Sequence, residues 1–357
     1  MSNWINDWAI WGGLTAGALA GAAARYGRLC TMSAIEDVLI GQDRRAAKAW
    51  GLALASAIGF TQALAAFGWL DLANTPYANP QLHVLGALLG GLAFGLGMTL
   101  VGTCSFGLLV RAGGGDLRAL VTALVVGMFA FALTAGALAP LRTPLLTVGL
   151  VDVGQVGPAV VEWLTRLLGP YGPRIALSGF VAALTIIAVR DQRLRRRPRL
   201  LAGSVTLGLA IAVGWLMTSR AVDAMALDRA ESLTFVAPVG RALLQFMVEP
   251  FRNIGFGVAA MFGVLVSSCA VAFARKELRW EAFDDALEMR RHLFGASLMG
   301  VGGVLAQGCT IGQGLSAAST LSLSMPLFLI GVLAGSKLGL NHLIDGRSLW
   351  RLGRTPG

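Results

Sequence analysis

The stretch LLGGLAFGLGMTLVGTCSFG at 88–107 decides the fold of this chain. It contains no charged side chain, and about 20 apolar residues are the length that an α-helix needs to cross a bilayer. Glycines recur along it, as expected where membrane helices pack backbone against backbone. It ends in Gly102-Thr-Cys-Ser-Phe-Gly107, so the sequence predicts a membrane-spanning helix that leads into a cysteine motif.

A second copy of this pattern lies 205 residues later, in LFGASLMGVGGVLAQGCTIG at 293–312. The matched pairs are Gly90 with Gly295, Gly95 with Gly300, Gly97 with Gly302, Cys104 with Cys309, and Gly107 with Gly312. In each half, therefore, glycines lie 14, 9 and 7 residues before the cysteine, and a fourth glycine lies 3 residues after it. This agreement indicates an internal repeat.

The composition of the whole chain is that of a membrane protein. Of its 357 residues, 55% are hydrophobic and 13% are charged, whereas a soluble domain carries about 25% charged residues. A mean hydropathy of +0.69 would leave large apolar patches on a soluble protein. A soluble enzyme, a disordered chain and a secreted disulfide scaffold are therefore disfavoured.

The apolar stretches predict an all-α, polytopic fold with nine spanning helices and four re-entrant half-helices. The spans are predicted near 9–25, 50–70, 82–102, 118–140, 174–190, 200–218, 252–273, 292–307 and 325–340. The half-helices are predicted near 28–40, 104–112, 232–248 and 309–321. Because interrupted backbone is tolerated at membrane depth only where protein or water satisfies it, the short segments indicate a central cavity.

Basic residues orient the predicted helices. Of the 29 Lys and Arg residues, 22 fall in alternate loops, at 25–49, 111–118, 190–199, 274–291 and 337–357. The positive-inside rule places these loops in the cytoplasm, with the N-terminus outside and the C-terminus inside. The net charge of +10 has the same explanation and does not require a nucleic-acid partner.

In this topology the helix before Cys104 runs inward and the helix before Cys309 runs outward. The two copies are therefore expected to form inverted repeats, an architecture that recurs in transporters. The chain divides into a first repeat at 1–140 with Cys30 and Cys104, a connecting helix and basic loop at 141–199, and a second repeat at 200–357 with Cys309.

The two cysteine motifs supply the candidate site. Glycines beside a cysteine let a ligand approach the backbone, and any short helix that opens there offers free N–H groups that favour an anion. Cys30 follows the first helix, and the comparable segment SLTFVAP at 232–238 has Thr234 or a neighbour in its place. The predicted pore residues are Cys30, Cys104, Cys309, Gly102, Thr103, Ser105, Gly107, Gly308, Thr310, Gly312 and Gln313.

The remaining reactive residues predict no second site. Cys269 has no glycine motif beside it and is interpreted as a packing residue. The three histidines are far apart in the sequence, so we expect no metal site and no cofactor. No Gly-x-x-x-x-Gly-Lys-Ser/Thr loop is present, so direct ATP drive by this chain is not expected.

Glycine-rich helices that lead into G-x-C-x-x-G and GC-x-x-G, with a third cysteine after the first helix, resemble the YeeE/YedE family of sulfur-compound transporters. The spacing of Cys30, Cys104 and Cys309 is similar to that of the family's three pore cysteines. The resemblance implies an hourglass-like inverted repeat in a bacterial inner membrane. It also implies uptake of thiosulfate, passed between thiols by weak S–H hydrogen bonds, and a cytoplasmic sulfur-carrier partner of the TusA type.

Three alternatives remain open from the sequence. The SLTFVAP segment and the long loop at 274–291 are closer to the YedE branch, for which the ligand would be another reduced sulfur or selenium species. A membrane thiol oxidoreductase would need two cysteines in disulfide geometry. A non-transporting membrane subunit for a carrier protein would give no flux. We expect a transporter and not an enzyme.

Overall fold

The computed structural model describes residues 3–78, 81–147, 149–152, 165–166, 172–224, 227–248 and 254–344. These residues form fourteen α-helices, a 3₁₀ turn, a π-helix and a two-stranded sheet. Part of the predicted connecting segment 141–199, the first residues of the predicted span 252–273 and the last thirteen residues of the predicted second repeat lie outside the described residues.

The helices follow one another with short connections. The first seven are α1 (Asn3–Gly27), α2 (Thr31–Leu39), α3 (Arg45–Ala66), α4 (Val84–Val101), α5 (Ser105–Ala112), α6 (Leu117–Thr134) and α7 (Ala139–Thr147). The others are α8 (Gly172–Arg190), α9 (Gln192–Arg195), α10 (Pro198–Asp223), α11 (Ala237–Val248), α12 (Phe256–Ala274), α13 (Ala286–Leu305) and α14 (Ser324–Ile344). The 3₁₀ turn covers Leu72–Asn74 and the π-helix Gly312–Ala317. Strand β1 (Gln81–His83) pairs antiparallel with β2 (Leu150–Asp152), with Leu82 opposite Val151.

The all-α, polytopic fold predicted from the sequence is confirmed. A helix lies at each of the nine predicted spans, and short helices lie at the four predicted half-helices. Among the described residues, six segments are long and apolar enough to cross a membrane: Arg45–Ala66, Val84–Gly113, Leu117–Thr134, Pro198–Asp223, Phe256–Ala274 and Ser324–Ile344. The count of nine spans remains a prediction.

Polar residues mark where the long helices begin. Asp116 caps α6 by accepting a hydrogen bond from the N–H of Ala119, and Asp285 caps α13 by accepting one from the N–H of Glu288. The Glu288 carboxylate in turn accepts from the N–H of Asp284, so two otherwise unpaired donors are satisfied at one helix start. Pro198 begins α10, where a missing N–H does no harm. The central parts of the helices are apolar and therefore suit the interior of a membrane.

The order of elements repeats along the chain. Adding 205 to the positions of α1–α6 gives segments that overlap α10, α11, α12, α13, the π-helix and α14, in that order. The packing repeats as well: α1 packs on α12 as α10 packs on α3, and α4 packs on α14 as α13 packs on α6. Helices α7, α8 and α9 lie between the two sets. The boundaries of the three predicted domains remain predictions.

Glycines allow the long helices to touch backbone to backbone. A Cβ at Gly335 of α14 would collide with the carbonyl oxygen of Leu92 in α4, and one at Gly17 of α1 would collide with that of Ala260 in α12. Gly95 of α4 has the same relation to Val332 of α14. These contacts explain the high glycine content that the sequence shows.

Both halves contribute to one continuous hydrophobic core. Phe106 of α5 stacks on Phe235, with ring centroids 5.0 Å apart, and both side chains are at most 2% exposed. Cys104 and Cys309 belong to the same buried cluster as these rings. The two cysteine motifs are thus brought into the centre of the protein.

Candidate functional site

Each of the three predicted pore cysteines follows a residue with left-handed backbone. Arg28, Gly102 and Gln307, each two positions before a cysteine, have φ values of 53°, 81° and 58°. Only glycine adopts this region freely, so the two non-glycine positions each carry a strain of about 1–2 kcal/mol. The same turn at three places ends a long helix and sets a cysteine at the start of a short one.

Two of the cysteines use their sulfur to cap the segment that follows. The N–H of Gly107 donates to Cys104 Sγ, and the N–H of Gly312 donates to Cys309 Sγ, each at 3.4 Å. The sequence predicts that these N–H groups are free to hold an anion, and for Gly107 and Gly312 that expectation is wrong. The positive ends of the segments instead face the sulfur atoms.

Cys30 and Cys104 lie close together, because each contacts the hydroxyl residue beside the other. The Thr31 hydroxyl lies 3.8 Å from Cys104 Sγ, and Cys30 Sγ lies 3.8 Å from the Thr103 hydroxyl. Cys104 and Cys309 are buried, Cys30 is half-buried, and all three are free thiols.

A hydroxyl residue follows each of these cysteines: Thr31, Ser105 and Thr310. The hydroxyl oxygens of Ser105 and Thr310 occupy equivalent positions in the two repeats, and both are buried without a hydrogen-bond partner in the protein. Thr310 lies near the Cys104 sulfur, although not in hydrogen-bond geometry. Since an unsatisfied buried polar group costs about 1–3 kcal/mol, two of them beside the thiols indicate a place for a polar ligand.

Threonine side chains fill the space beside the glycines that follow the cysteines. A Cβ at Gly107 would collide with the Thr103 hydroxyl, and one at Gly312 would lie 2.8 Å from the Thr234 hydroxyl. A larger side chain at Gly107 or Gly312 would therefore displace a threonine, and the role of both glycines in ligand binding stays a prediction. Thr103 contacts Cys30, whereas Thr234 lies in the segment that replaces Cys30 in the second half, so the two threonines fill similar space from different positions in the repeat.

Gln313 is held by the protein at both ends of its amide. Its Nε2 donates to the Ala306 carbonyl at 2.8 Å, and its Oε1 accepts from the Ser324 hydroxyl at 2.9 Å. The side chain is 1% exposed and packs over Gly308. This predicted pore residue therefore braces the Cys309 turn, with one amide proton left over.

An apolar cavity of about 340 Å³ lies between α2, α3, α14 and the π-helix. Thr31 and Thr310, which follow Cys30 and Cys309, are among its lining residues. Leu39 and Leu333 also line it and are each 41% exposed. Two of the hydroxyl residues that follow the cysteines thus contribute to an otherwise largely apolar lining.

The sequence analysis did not select Thr31 or Tyr77. Tyr77 donates its hydroxyl proton to the Gly312 carbonyl at 3.0 Å and so fixes the Cys309 turn from the loop after α3. Thr31 carries a local signal, because Cys30, Cys104 and Cys309 are each followed by Ser or Thr, whereas Cys269 is followed by Ala270. Tyr77 carries no such signal.

The interpretation of Cys269 as a packing residue is wrong, because its side chain is exposed on α12.

The arginines near the basic ends of the cysteine segments are engaged in ion pairs. Glu277 binds Arg25 and Arg28, and Arg118 binds Asp116, Glu281 and Glu288. Burial alone would raise the pKa of Glu277, but the hydrogen bond from Arg28 and the neighbouring arginine charges outweigh it and lower that pKa.

Comparison with known proteins covers most of the chain. The model of a family described as Sulphur transport matches residues 26–338. The Thiosulfate transporter TsuA of Spirochaeta thermophila is 27% identical over 346 residues, which is 92% of this chain and 97% of that protein. The Thiosulfate transporter TsuA of Escherichia coli K12 is 26% identical over 324 residues, or 86% of each chain.

Proposed function

Because the chain belongs to the sulphur transport family, as its cysteine spacing predicts, we propose that this multi-pass membrane protein takes up thiosulfate or a closely related sulfur-containing anion. The proposed route passes Cys309, then Cys104, then Cys30, from the outside to the cytoplasm. Both relatives described above are named thiosulfate transporters, which supports this choice of substrate.

The observation that carries the proposal is that thiols and hydroxyls lie together. Cys30 and Cys104 each contact a threonine hydroxyl, and the hydroxyls that follow Cys104 and Cys309 are buried without a partner. Thiosulfate has a soft, polarizable sulfur at one end and hard oxygens at the other. A thiol is a weak but polarizable donor, and a hydroxyl is a normal donor to oxygen. A site that presents both kinds of group matches both ends of such an ion.

Weak contacts with the ion favour its transport over tight binding. An ion must bind well enough to enter and weakly enough to leave, and several weak positions in series satisfy both conditions. Arg28, two residues before Cys30, is paired with Glu277, as is Arg25. Neither of these two charges is therefore free to trap the ion beside Cys30.

We place the protein in the bacterial inner membrane, with its N-terminus outside and its C-terminus in the cytoplasm. In that orientation Cys30 is the last thiol before the cytoplasm. A sulfur-carrier protein of the TusA type would receive the ion there. The family resemblance and the concentration of Lys and Arg in alternate loops support this arrangement.

The test is uptake of radiolabelled thiosulfate by the purified full chain in liposomes, so that no other importer contributes. Cys104→Ala and Cys309→Ala should lose most of the uptake, and Cys30→Ala should lower it. Cys269→Ala is the matched control, because this exposed cysteine lies outside the cluster and should leave uptake unchanged. Normal uptake by the Cys104→Ala and Cys309→Ala variants would refute the passage between thiols.

The same preparation separates the alternatives. A thiol oxidoreductase would lose function when a strong reductant holds all cysteines reduced, whereas the proposed transporter keeps its uptake. A subunit that only supports a carrier protein would give no flux when purified alone. Competition by selenosulfate, sulfite and sulfate distinguishes thiosulfate from other sulfur and selenium anions.

A further inference from the structure

A second cavity opens at the face of the protein that carries the basic loops. It has a volume of about 520 Å³ and lies where α1 ends, where α2, α3 and α10 begin, and where α12 ends. We call it the arginine cavity. Its charged lining residues are Arg28, Arg45, Arg196, Arg197, Arg199, Arg275, Asp37 and Asp43.

The charges of the arginine cavity do not balance. Arg45 pairs with Asp43 at 2.5 Å, and Arg28 and Arg275 share Glu277 just beside the cavity. Six arginines against three carboxylates leave an excess of three positive charges. Like charges gathered at one place repel one another, and an anion that joins them relieves this repulsion.

Three arginines account for this excess. In the described part of the chain, Arg196, Arg197 and Arg199 form no ion pair with a carboxylate. All three side chains are exposed, and they follow one another around Pro198 at the start of α10. Guanidinium groups bind phosphate through two parallel hydrogen bonds, which makes such a group of arginines suited to a phosphate oxyanion.

The cavity also has an apolar side at the depth of the lipid headgroups. The guanidinium groups of Arg199 and Arg275 lie 5.8 and 5.5 Å from the centre of the Tyr26 ring, and Leu200 lines the cavity next to them. Helices α3, α10 and α12, which are apolar enough to cross a membrane, all have an end here. Basic pockets at this depth between spanning helices bind the headgroups of anionic lipids.

We propose that the arginine cavity binds the phosphate group of an anionic phospholipid headgroup, with Arg196, Arg197 and Arg199 as its ligands. The proposal does not depend on the sulfur anion or on the thiols. It requires only that the cavity lie at a membrane surface, on either side.

The test uses the full chain in an uncharged detergent and measures its melting temperature. Short-chain phosphatidylglycerol should raise the melting temperature in a saturable manner, whereas short-chain phosphatidylcholine should not. Arg196→Gln/Arg197→Gln/Arg199→Gln should weaken the apparent affinity for phosphatidylglycerol at least about tenfold, since each charge-assisted hydrogen bond is worth roughly that much.

The same basic loop offers a matched control. Arg190, Arg193 and Arg195 precede the three ligands and do not line the cavity. The variant Arg190→Gln/Arg193→Gln/Arg195→Gln loses the same charge and should respond to phosphatidylglycerol like the wild type. Equal loss in both triple variants would mean that only general charge attraction is at work, and it would overturn the proposal.

Two further arms keep the result decisive. If the triple glutamine variant fails to fold, Arg196→Lys/Arg197→Lys/Arg199→Lys replaces it. This variant keeps the charge but should bind phosphatidylglycerol more weakly than the wild type, because lysine lacks the planar guanidinium group. Inorganic phosphate or thiosulfate that raises the melting temperature at the same concentration as phosphatidylglycerol would assign the cavity to a free anion and refute the lipid headgroup. The absence of any shift in the wild type would refute the site altogether.

Discussion

Replacing Thr310 with valine should make the empty protein no less stable while it weakens transport. Valine has the shape of threonine without the hydroxyl, and the Thr310 hydroxyl is buried with no partner in the protein. Most buried substitutions lower stability and function together. Here the two properties should move in opposite directions, which isolates a role in binding.

The expected sizes follow from the state of the hydroxyl. Since an unsatisfied buried group costs about 1–3 kcal/mol, its removal should raise the free energy of unfolding or leave it unchanged. A hydrogen bond to an anion is worth about 1.5–3 kcal/mol, so its loss should raise the apparent KM for thiosulfate about ten- to a hundredfold. Thr310→Ser keeps the donor and should stay near the wild-type KM.

The assay pairs initial uptake rates in liposomes with denaturant unfolding in detergent. Thr61 supplies the control, because its hydroxyl is also buried and unpartnered but lies in the last two turns of α3, outside the cysteine motifs. Thr61→Val should have the same effect on stability and none on KM. An unchanged KM in Thr310→Val, or a KM raised equally by Thr61→Val, would refute the role assigned to the hydroxyl.

Three further predictions concern stability, each measured by unfolding in detergent. Phe235→Ala removes the ring that stacks on Phe106 and should lower the free energy of unfolding by roughly 3 kcal/mol or more; a loss under about 1 kcal/mol would contradict the packing. Gly335→Ala should cost about 1–3 kcal/mol through its collision with Leu92, whereas Gly179→Ala, which meets no atom within 4 Å, should be neutral or stabilising. The lowered pKa of Glu277 means that its ion pairs stabilise the protein above the ordinary value of 4.5 and are lost as the pH falls through the lowered pKa. Glu277→Gln should therefore melt earlier than the wild type at neutral pH and converge with it in acid; a constant difference would count against the ion pairs.

Hydropathy alone located the elements of this fold, because a long apolar run without charges has few structures open to it. The short segments at α2, α5, α11 and the π-helix could also be predicted from the sequence, because their length and glycine content exclude a full membrane span. The β1–β2 pair was not, because its strands of three residues are joined across a long separation in the sequence.

Only those residues of the candidate site that lie in the repeated motifs could be predicted from the sequence. Cys104 and Cys309 stand out by their symmetric glycines, whereas Tyr77 reaches Gly312 through tertiary packing that no local pattern encodes. The contact of Thr103 with the space beside Gly107 is likewise a matter of backbone geometry that the sequence does not predict. Cys269 shows the converse, because an apolar neighbourhood in the sequence does not say which face of a helix meets lipid.

The glycine contacts between the long helices limit how the protein can work. Where a Cβ at Gly17, Gly95 or Gly335 would strike a carbonyl oxygen, a shift by one residue would drive a neighbouring side chain into the opposing main chain. We therefore expect the long helices to stay locked as a rigid scaffold, so that wholesale rocking of one half against the other is disfavoured. A Cβ at Gly102, in contrast, would meet no atom within 4 Å. We therefore expect any local rearrangement that opens the path to occur in the left-handed turns at Arg28, Gly102 and Gln307, before the three cysteines.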